Sequence, residues 1–193
     1  MIYLLKSFEE FKTEKSLSII EGTGYSYGCA MLYFHLPEMD DLHSKIEDRD
    51  IFTEGEKYGL EDEPHITLLY GIHSDEVSDD DVIKILDSFK DKIQNVELTE
   101  VTKFDNPKYE VLKFDVKSDI VHDINKELCD KLPFTNDYPE YHPHLTIAYL
   151  KPKMANKYID KFQNINFKLN PTKFVYSKPS GEKIIHPIWN NDL

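Results

Sequence analysis

Pro64-His65-Ile66-Thr67-Leu68-Leu69-Tyr70 and Pro143-His144-Leu145-Thr146-Ile147-Ala148-Tyr149 are the two stretches on which the reading of this chain turns. Each is a short apolar run interrupted by a histidine and, two residues on, a threonine. Apolar runs of this length bounded by polar segments read as strands. On a strand, positions i and i+2 share a face, so His65 projects with Thr67 and His144 with Thr146. Ile66, Leu68, Leu145 and Ile147 then point the other way, into a helix-covered core. A His/Thr face inside an otherwise apolar strand must look onto water or a ligand. Of the eight histidines only these two have Thr at +2, and both share Pro before, apolar residues at +1 and +3, and Tyr at +5.

Working outward, the surroundings of the two stretches repeat. An aromatic strand over 25–36 is stopped by Pro37 and followed by a helix over 38–47, a polar loop over 49–63 and the strand 65–72, closed by Gly71. Later come strands over 96–104 and 109–116 joined by the turn Asp105-Asn106-Pro107. A helix over 119–131 faces Ile120, Ile124 and Leu128 inward, and a polar loop over 133–143 leads into the strand 144–150. Phe34 precedes His65 by 31 residues and Phe114 precedes His144 by 30. A helix and a long strand follow each stretch. The first helix is capped by Ser78, runs to about residue 93 and buries Val82, Ile85, Leu86 and Phe89. The second covers 154–162 and precedes strands over 165–175 and 183–188. The pattern predicts a duplication with two pseudo-symmetric lobes. Residues 1–24, a short strand and a helix opened by a Ser7/Glu10 capping box, form an extension packed on the domain 25–193.

The chain has 193 residues, 40% hydrophobic and 12% aromatic, enough for a real core. Its formal charge is −13. Long nucleic acids are held by basic surfaces that release phosphate counterions, so this balance argues against them and leaves nucleotide-sized anions, bound in a local pocket of donors. Cys29 and Cys129 have no metal-binding spacing, and no long apolar segment or signal peptide is evident. A cytoplasmic monomer with no membrane partner and no cofactor is expected.

The His/Thr pairs suit phosphodiester cleavage. That reaction needs a base for the nucleophile, an acid for the departing oxygen and donors for the non-bridging oxygens. Histidine titrates near neutrality and fills either of the first two roles. Threonine hydroxyls one strand step away can hold the phosphate. Which histidine is acid and which is base stays open at this point.

The paired motifs, about 80 residues apart, resemble the tandem His-x-Thr/Ser motifs of the 2H phosphoesterase superfamily. That superfamily contains 2′-5′ RNA ligase-like proteins, cyclic phosphodiesterases and viral 2′-5′-oligoadenylate phosphodiesterases. The resemblance covers about residues 25–190. It implies an α+β, bilobal fold, two antiparallel sheets around a central cleft with helices outside, and catalytic roles for His65, Thr67, His144 and Thr146. The phrase Gly59-Leu-Glu-Asp-Glu-Pro-His-Ile-Thr-Leu-Leu-Tyr-Gly71 and the acidity further resemble phage anti-CBASS enzymes, which linearise cyclic oligonucleotide immune messengers, in the host cytoplasm if the chain is phage-encoded. An enzyme of RNA ends, acting on 2′,3′-cyclic phosphates or 2′-5′ linkages, is the alternative; a non-catalytic nucleotide sponge is another.

Other candidates are weaker. Tyr25, Tyr27 and Trp189 are offered as base-stacking residues, and Lys178 as a phosphate contact. His142 with His144, Glu140 and Asp137 has the makings of a zinc site, but Pro143 and the match of His144 to His65 favour catalysis, and no metal is assigned. His73 is read as a loop residue, and His35, His43, His122 and His186 as structural or surface residues.

Overall fold

The computed structural model describes residues 25–55, 58–136 and 140–188. Residues 1–24, with their expected strand and helix, lie outside the described residues, as does Trp189. In chain order the elements are β1 (Tyr27–Phe34), α1 (Glu38–His43), a 3-10 turn (Asp48–Asp50), β2 (His65–His73), α2 (Asp79–Asp87), β3 (Val96–Asp105) and β4 (Glu110–Lys117). Then follow α3 (Asp119–Lys131), β5 (His144–Leu150), α4 (Ala155–Lys161), β6 (Phe167–Leu169), β7 (Pro171–Ser177) and β8 (Lys183–Pro187).

The architecture is mixed α/β with a curled antiparallel sheet, and here one expectation is corrected. The strands do not form two sheets. They make one sheet in the order β6-β3-β4-β5-β2-β1-β7-β8. Outward from its centre run β2, β1, β7, β8 on one side and β5, β4, β3, β6 on the other. The halves meet at a thin seam, the single pair Ile66↔Leu145 between β2 and β5.

Beyond that pair the two central strands diverge, and each freed edge is taken by a loop from the opposite half. Ile51 bridges Leu150 and Leu60 bridges Ala148 along β5, while Phe134 bridges Ile72 along β2. Main-chain bonds reinforce both: Phe52 N to Tyr149 O at 2.9 Å, and Thr135 N to Gly71 O at 2.9 Å. The stretch 49–63, read as a polar loop, therefore carries buried Ile51 and Phe52. Unpaired backbone groups at a divergent edge must find partners, and these loops provide them.

Curling follows from connectivity. β6 is the edge of one half and β7 lies next to the edge of the other, yet only Asn170 separates them. Successive Cα atoms are about 3.8 Å apart, so the ends of the sheet must approach one another. The single strand expected over 165–175 is broken at this point. Its first part pairs with β3 and its second with β1, and Pro171 has no N–H to carry a ladder through.

Helices cover one face. Val82 and Leu86 of α2, Val121, Ile124 and Leu128 of α3, and Tyr158 of α4 pack on Leu32, Ile66, Leu68, Phe114, Leu145 and Ile147. Burying each such aliphatic or aromatic side chain contributes about 1.5–3 kcal/mol. Val121 takes the inward place expected of Ile120. Ser78 caps α2 as predicted, in a reciprocal box with Asp81, but the helix stops at Asp87. From Ser88 to Lys90 its bonds tighten to the i−3 type, as in Phe89 N to Leu86 O.

Candidate active site

The seam assembles the site. In an antiparallel ladder, pairing Ile66 with Leu145 sets His65 across from Thr146 and Thr67 across from His144. The single pair thus brings the middles of the two motifs together and groups the four polar side chains as one quartet around a local two-fold axis, close enough for the charge of His65 to act on His144. Ile66 and Leu145 are fully buried on the opposite face.

Both rings are held alike. His65 Nδ1 lies 2.7 Å from the carbonyl oxygen of Glu63, and His144 Nδ1 lies 2.8 Å from that of His142. A carbonyl only accepts, so Nδ1 carries the proton and Nε2 is the nitrogen that exchanges one. The prolines between fix the geometry: Pro64 O accepts from Phe34 N at 3.0 Å and Pro143 O from Val116 N at 3.2 Å. Tyr141 donates to Thr67 O at 2.8 Å.

Each half carries a bulge immediately after its motif threonine. Ala30 pairs with Leu69 but Met31 with Thr67, and Leu112 pairs with Ala148 but Lys113 with Thr146. Leu68 and Ile147 are the extra residues. Adjacent side chains then both enter the core, Leu68 with Leu69 and Ile147 with Ala148. The phase shift returns Tyr70 and Tyr149 to the site face, where they pack with Met31 and Tyr33 and with Tyr109 and Val111 respectively. Simple alternation would have sent both tyrosines into the core.

The flanks of the quartet differ. Tyr33 stands beside His65 and Met31 beside Thr67; Asp115 stands beside His144 and Lys113 beside Thr146. Tyr33 stacks on His65 with centroids 5.3 Å apart, and Phe104 meets His144 edge-on at 4.8 Å. Burial drives the His144 pKa down to about 4, with the charges of Lys113 and His65 adding to the fall and the His142 carbonyl and Asp115 opposing it. Burial and the nearby Glu63 push the Tyr33 phenol up to about 12. Lys173 and Lys183 lie 4.9 and 5.7 Å from the Tyr33 ring, so an acidic protein gathers cations here. A cavity of about 650 Å³ opens between the end of β1, α1 and the stretch before β2, lined by Tyr33, Pro64, Glu63, Asp40, His43 and Lys173 among others; none of the four motif side chains lines it.

Other residues singled out from the sequence fall elsewhere. Tyr27 pairs with His73, six positions along β1 from the Tyr33–His65 pair, about 20 Å away at roughly 3.4 Å per residue. Tyr25 stacks on His73 at 3.8 Å. Neither stands beside the quartet. Lys178 is tied to Asp79 at 2.5 Å and Glu182 at 3.3 Å.

His73 is not a loop residue: it ends β2, is 8% exposed, and bonds Thr135 Oγ1 at 2.8 Å and Glu76 at 3.2 Å. Gly71 does not close the strand either, since β2 runs through it at φ +86. His43 and His186 have definite partners, the Ile147 carbonyl at 3.0 Å and Asp87 at 2.7 Å. His122 meets Tyr141 edge-on. His142 reaches Glu140 at 3.6 Å, and Asp137 lies outside the described residues. Among the described residues no three His, Cys, Asp or Glu side chains gather as a metal site. No helix among them is long and apolar enough to cross a membrane.

The sequence reading passed over Tyr33, Lys113 and Asp115. Their signal was present in the i, i+2 rule already applied to the histidines: Lys113 and Asp115 are polar residues at alternate positions around buried Phe114.

The family model for the 2′-5′ RNA ligase superfamily matches residues 38–175. Among solved structures, Usb1 of Kluyveromyces marxianus is 10% identical and superposes with a TM-score of 0.53 over 83% of this chain and 97% of its own. The same protein with uridine monophosphate gives 9% identity and 0.49, over 83% and 98%. E. coli LigT complexed with 3′-AMP gives 15% identity and 0.49, over 83% and 95%. No curated protein matches this sequence.

Proposed function

Because the chain belongs to the 2′-5′ RNA ligase superfamily, matched over residues 38–175, we propose that its His/Thr quartet cleaves a phosphodiester of a small nucleotide by paired acid–base catalysis. The observation that supports this reading is the antiparallel pair Ile66↔Leu145, which brings the two His-x-Thr segments side by side. His144, kept neutral at physiological pH by its burial, is the base. Its Nε2 takes the proton of the attacking oxygen, which belongs to water or to the substrate's own 2′-hydroxyl. The attacking oxygen bonds to phosphorus as the bond to the leaving oxygen breaks, and His65 enters protonated and delivers its proton to that oxygen. Thr67 and Thr146 donate to the non-bridging oxygens. The scheme calls on no metal, so turnover survives EDTA.

The charge of −13 supports short or cyclic substrates over long chains. The finer form of the proposal is a phosphodiesterase of cyclic oligonucleotide messengers of the anti-CBASS type, resting on the Gly59–Gly71 phrase. A second reading, an enzyme of RNA ends, is favoured by the matched family's own description. Incubation with cyclic di- and trinucleotides, linear 2′-5′ oligomers and RNA ending in a 2′,3′-cyclic phosphate separates the two. His65→Ala or His144→Ala each lowers turnover by about 10²–10⁴-fold, the scale of one general acid or base. Full activity in either variant refutes the assignment.

A further inference from the structure

The quartet is two-fold symmetric, but a phosphodiester in it must choose a direction. Something has to distinguish the two halves. The strands flanking the motifs provide the comparison, because Met31 and Lys113 occupy matching places beside Thr67 and Thr146, as do Tyr33 and Asp115 beside His65 and His144. At these matching places one half offers a thioether and a phenol, the other an ammonium and a carboxylate; the cations of the first half, Lys173 and Lys183, lie over the ring of Tyr33, and Lys183 is paired with Glu63 at 2.6 Å. The first half also shows that the strand pairing itself requires no cation at this place.

Lys113 is 4% exposed. Its ammonium donates to Thr102 Oγ1 at 2.7 Å and to Asp115, and lies 4.3 Å over the Phe104 ring, which in turn touches His144. An ammonium carries three donors, and these two bonds use two of them. A buried charge without a buried counter-charge is expensive. Asp115 offsets this only in part, since its side chain is 44% exposed and water-screened. Burial accordingly lowers the Lys113 pKa, with Asp115 opposing. A cation held at such a cost beside Thr146, and absent beside Thr67, reads as a group awaiting an anion.

We propose that Lys113 breaks the symmetry of the site: it supplies positive charge to the phosphate at Thr146, where the matching position of the other half holds Met31. This rests on the reading of the quartet as a phosphodiester site, and it extends that reading by naming a further residue that binds the phosphate. The ligand class it selects is an anionic phosphodiester or phosphate.

Three full-length variants test it, with inorganic phosphate as the probe and calorimetry as the readout, so that no turnover is needed. Lys113→Met, which copies Met31, weakens phosphate binding by about tenfold, the scale of one charge-assisted hydrogen bond. Lys113→Arg keeps the affinity within a few-fold of the parent. Asp115→Asn, at an exposed position that does not threaten folding, frees the cation and tightens binding. In Lys113→Met the His144 imidazole also titrates at higher pH by NMR, because a neighbouring positive charge has gone while Asp115 and His65 remain. Parental affinity in Lys113→Met with an unmoved His144 titration overturns the proposal. Should Lys113→Met fail to fold, Asp115→Asn decides alone, and unchanged or weaker binding there overturns it. Failure of every nucleotide to turn over would remove the catalytic reading and leave these binding outcomes to judge Lys113 by themselves.

Discussion

Asn125 holds in one half of the sheet the place that His43 holds in the other. Asn125 Nδ2 donates to the carbonyl of Leu68 at 2.7 Å, and His43 Nε2 to the carbonyl of Ile147 at 3.0 Å. Both carbonyls belong to the extra residue of a bulge, one position beyond a motif threonine, where regular pairing with the neighbouring strand is interrupted. Each is reached from the helical side of the sheet. The bulges that bring Tyr70 and Tyr149 onto the site face are thus fastened by side chains that never touch it.

The two fastenings are not equivalent. Ile147 O also accepts from Glu61 N at 3.0 Å. Asn125→Ala is therefore expected to destabilise the fold by about 1–3 kcal/mol, the cost of leaving a buried acceptor unsatisfied, and His43→Ala by less. Urea denaturation of the two variants checks the order, and a larger loss in His43→Ala would contradict it.

The pH–rate profile should fall on the acid side with an apparent pKa near 4. His144 acts as the base only when neutral, and its pKa is pushed down to about 4, so kcat/KM is retained through pH 5–6 and lost as pH drops further. The alkaline limb reports loss of the acid's proton. An acid limb above pH 6 would mean that His144 is not the base.

The same depression links His144 to stability. An unfolded histidine titrates near 6.5, so between about 6.5 and 4 the unfolded chain binds more protons than the folded one. Folding stability attributable to this ring is present above the unfolded pKa and lost as pH falls through that window. The upper bound is about 3 kcal/mol at about 1.4 kcal/mol per unit. Thermal melts at pH 7 and pH 4 should show a smaller acid-induced loss for His144→Gln than for the parent. Equal losses would count against the shift.

Gly71→Ala should be poorly tolerated. At φ +86 an L side chain is strained, and its Cβ would stand 1.9 Å from the Thr135 carbonyl oxygen. That approach is what lets Thr135 N reach Gly71 O and close the free edge of β2. A loss of about 2 kcal/mol or more is expected, with the backbone forced to shift. A parental melting temperature would show that the loop is free to move aside.

Much of this was legible beforehand because it is local. Alternation placed His65 with Thr67 and His144 with Thr146, amphipathic spacing marked α3 over its full length, and Ser78 announced the start of α2. Legibility failed where a distant partner changes the phase or pairing of a strand. Tyr70 and Tyr149 came onto the site face only through bulges, the break at Asn170 follows from two different partner strands, and the stretch around Ile51 and Phe52 became a sheet edge because β5 had one to fill.

By itself the sequence determined which side chains share a strand face, since a two-residue repeat is a property of the extended backbone. It also determined that the chain contains the same arrangement twice. Only the tertiary structure decided that the two arrangements meet through Ile66 and Leu145 in one sheet, and that Lys113 stands on one side of the quartet while Met31 stands on the other. Register between strands nearly eighty residues apart is set by packing and by hydrogen bonds among distant groups, and no local periodicity encodes it.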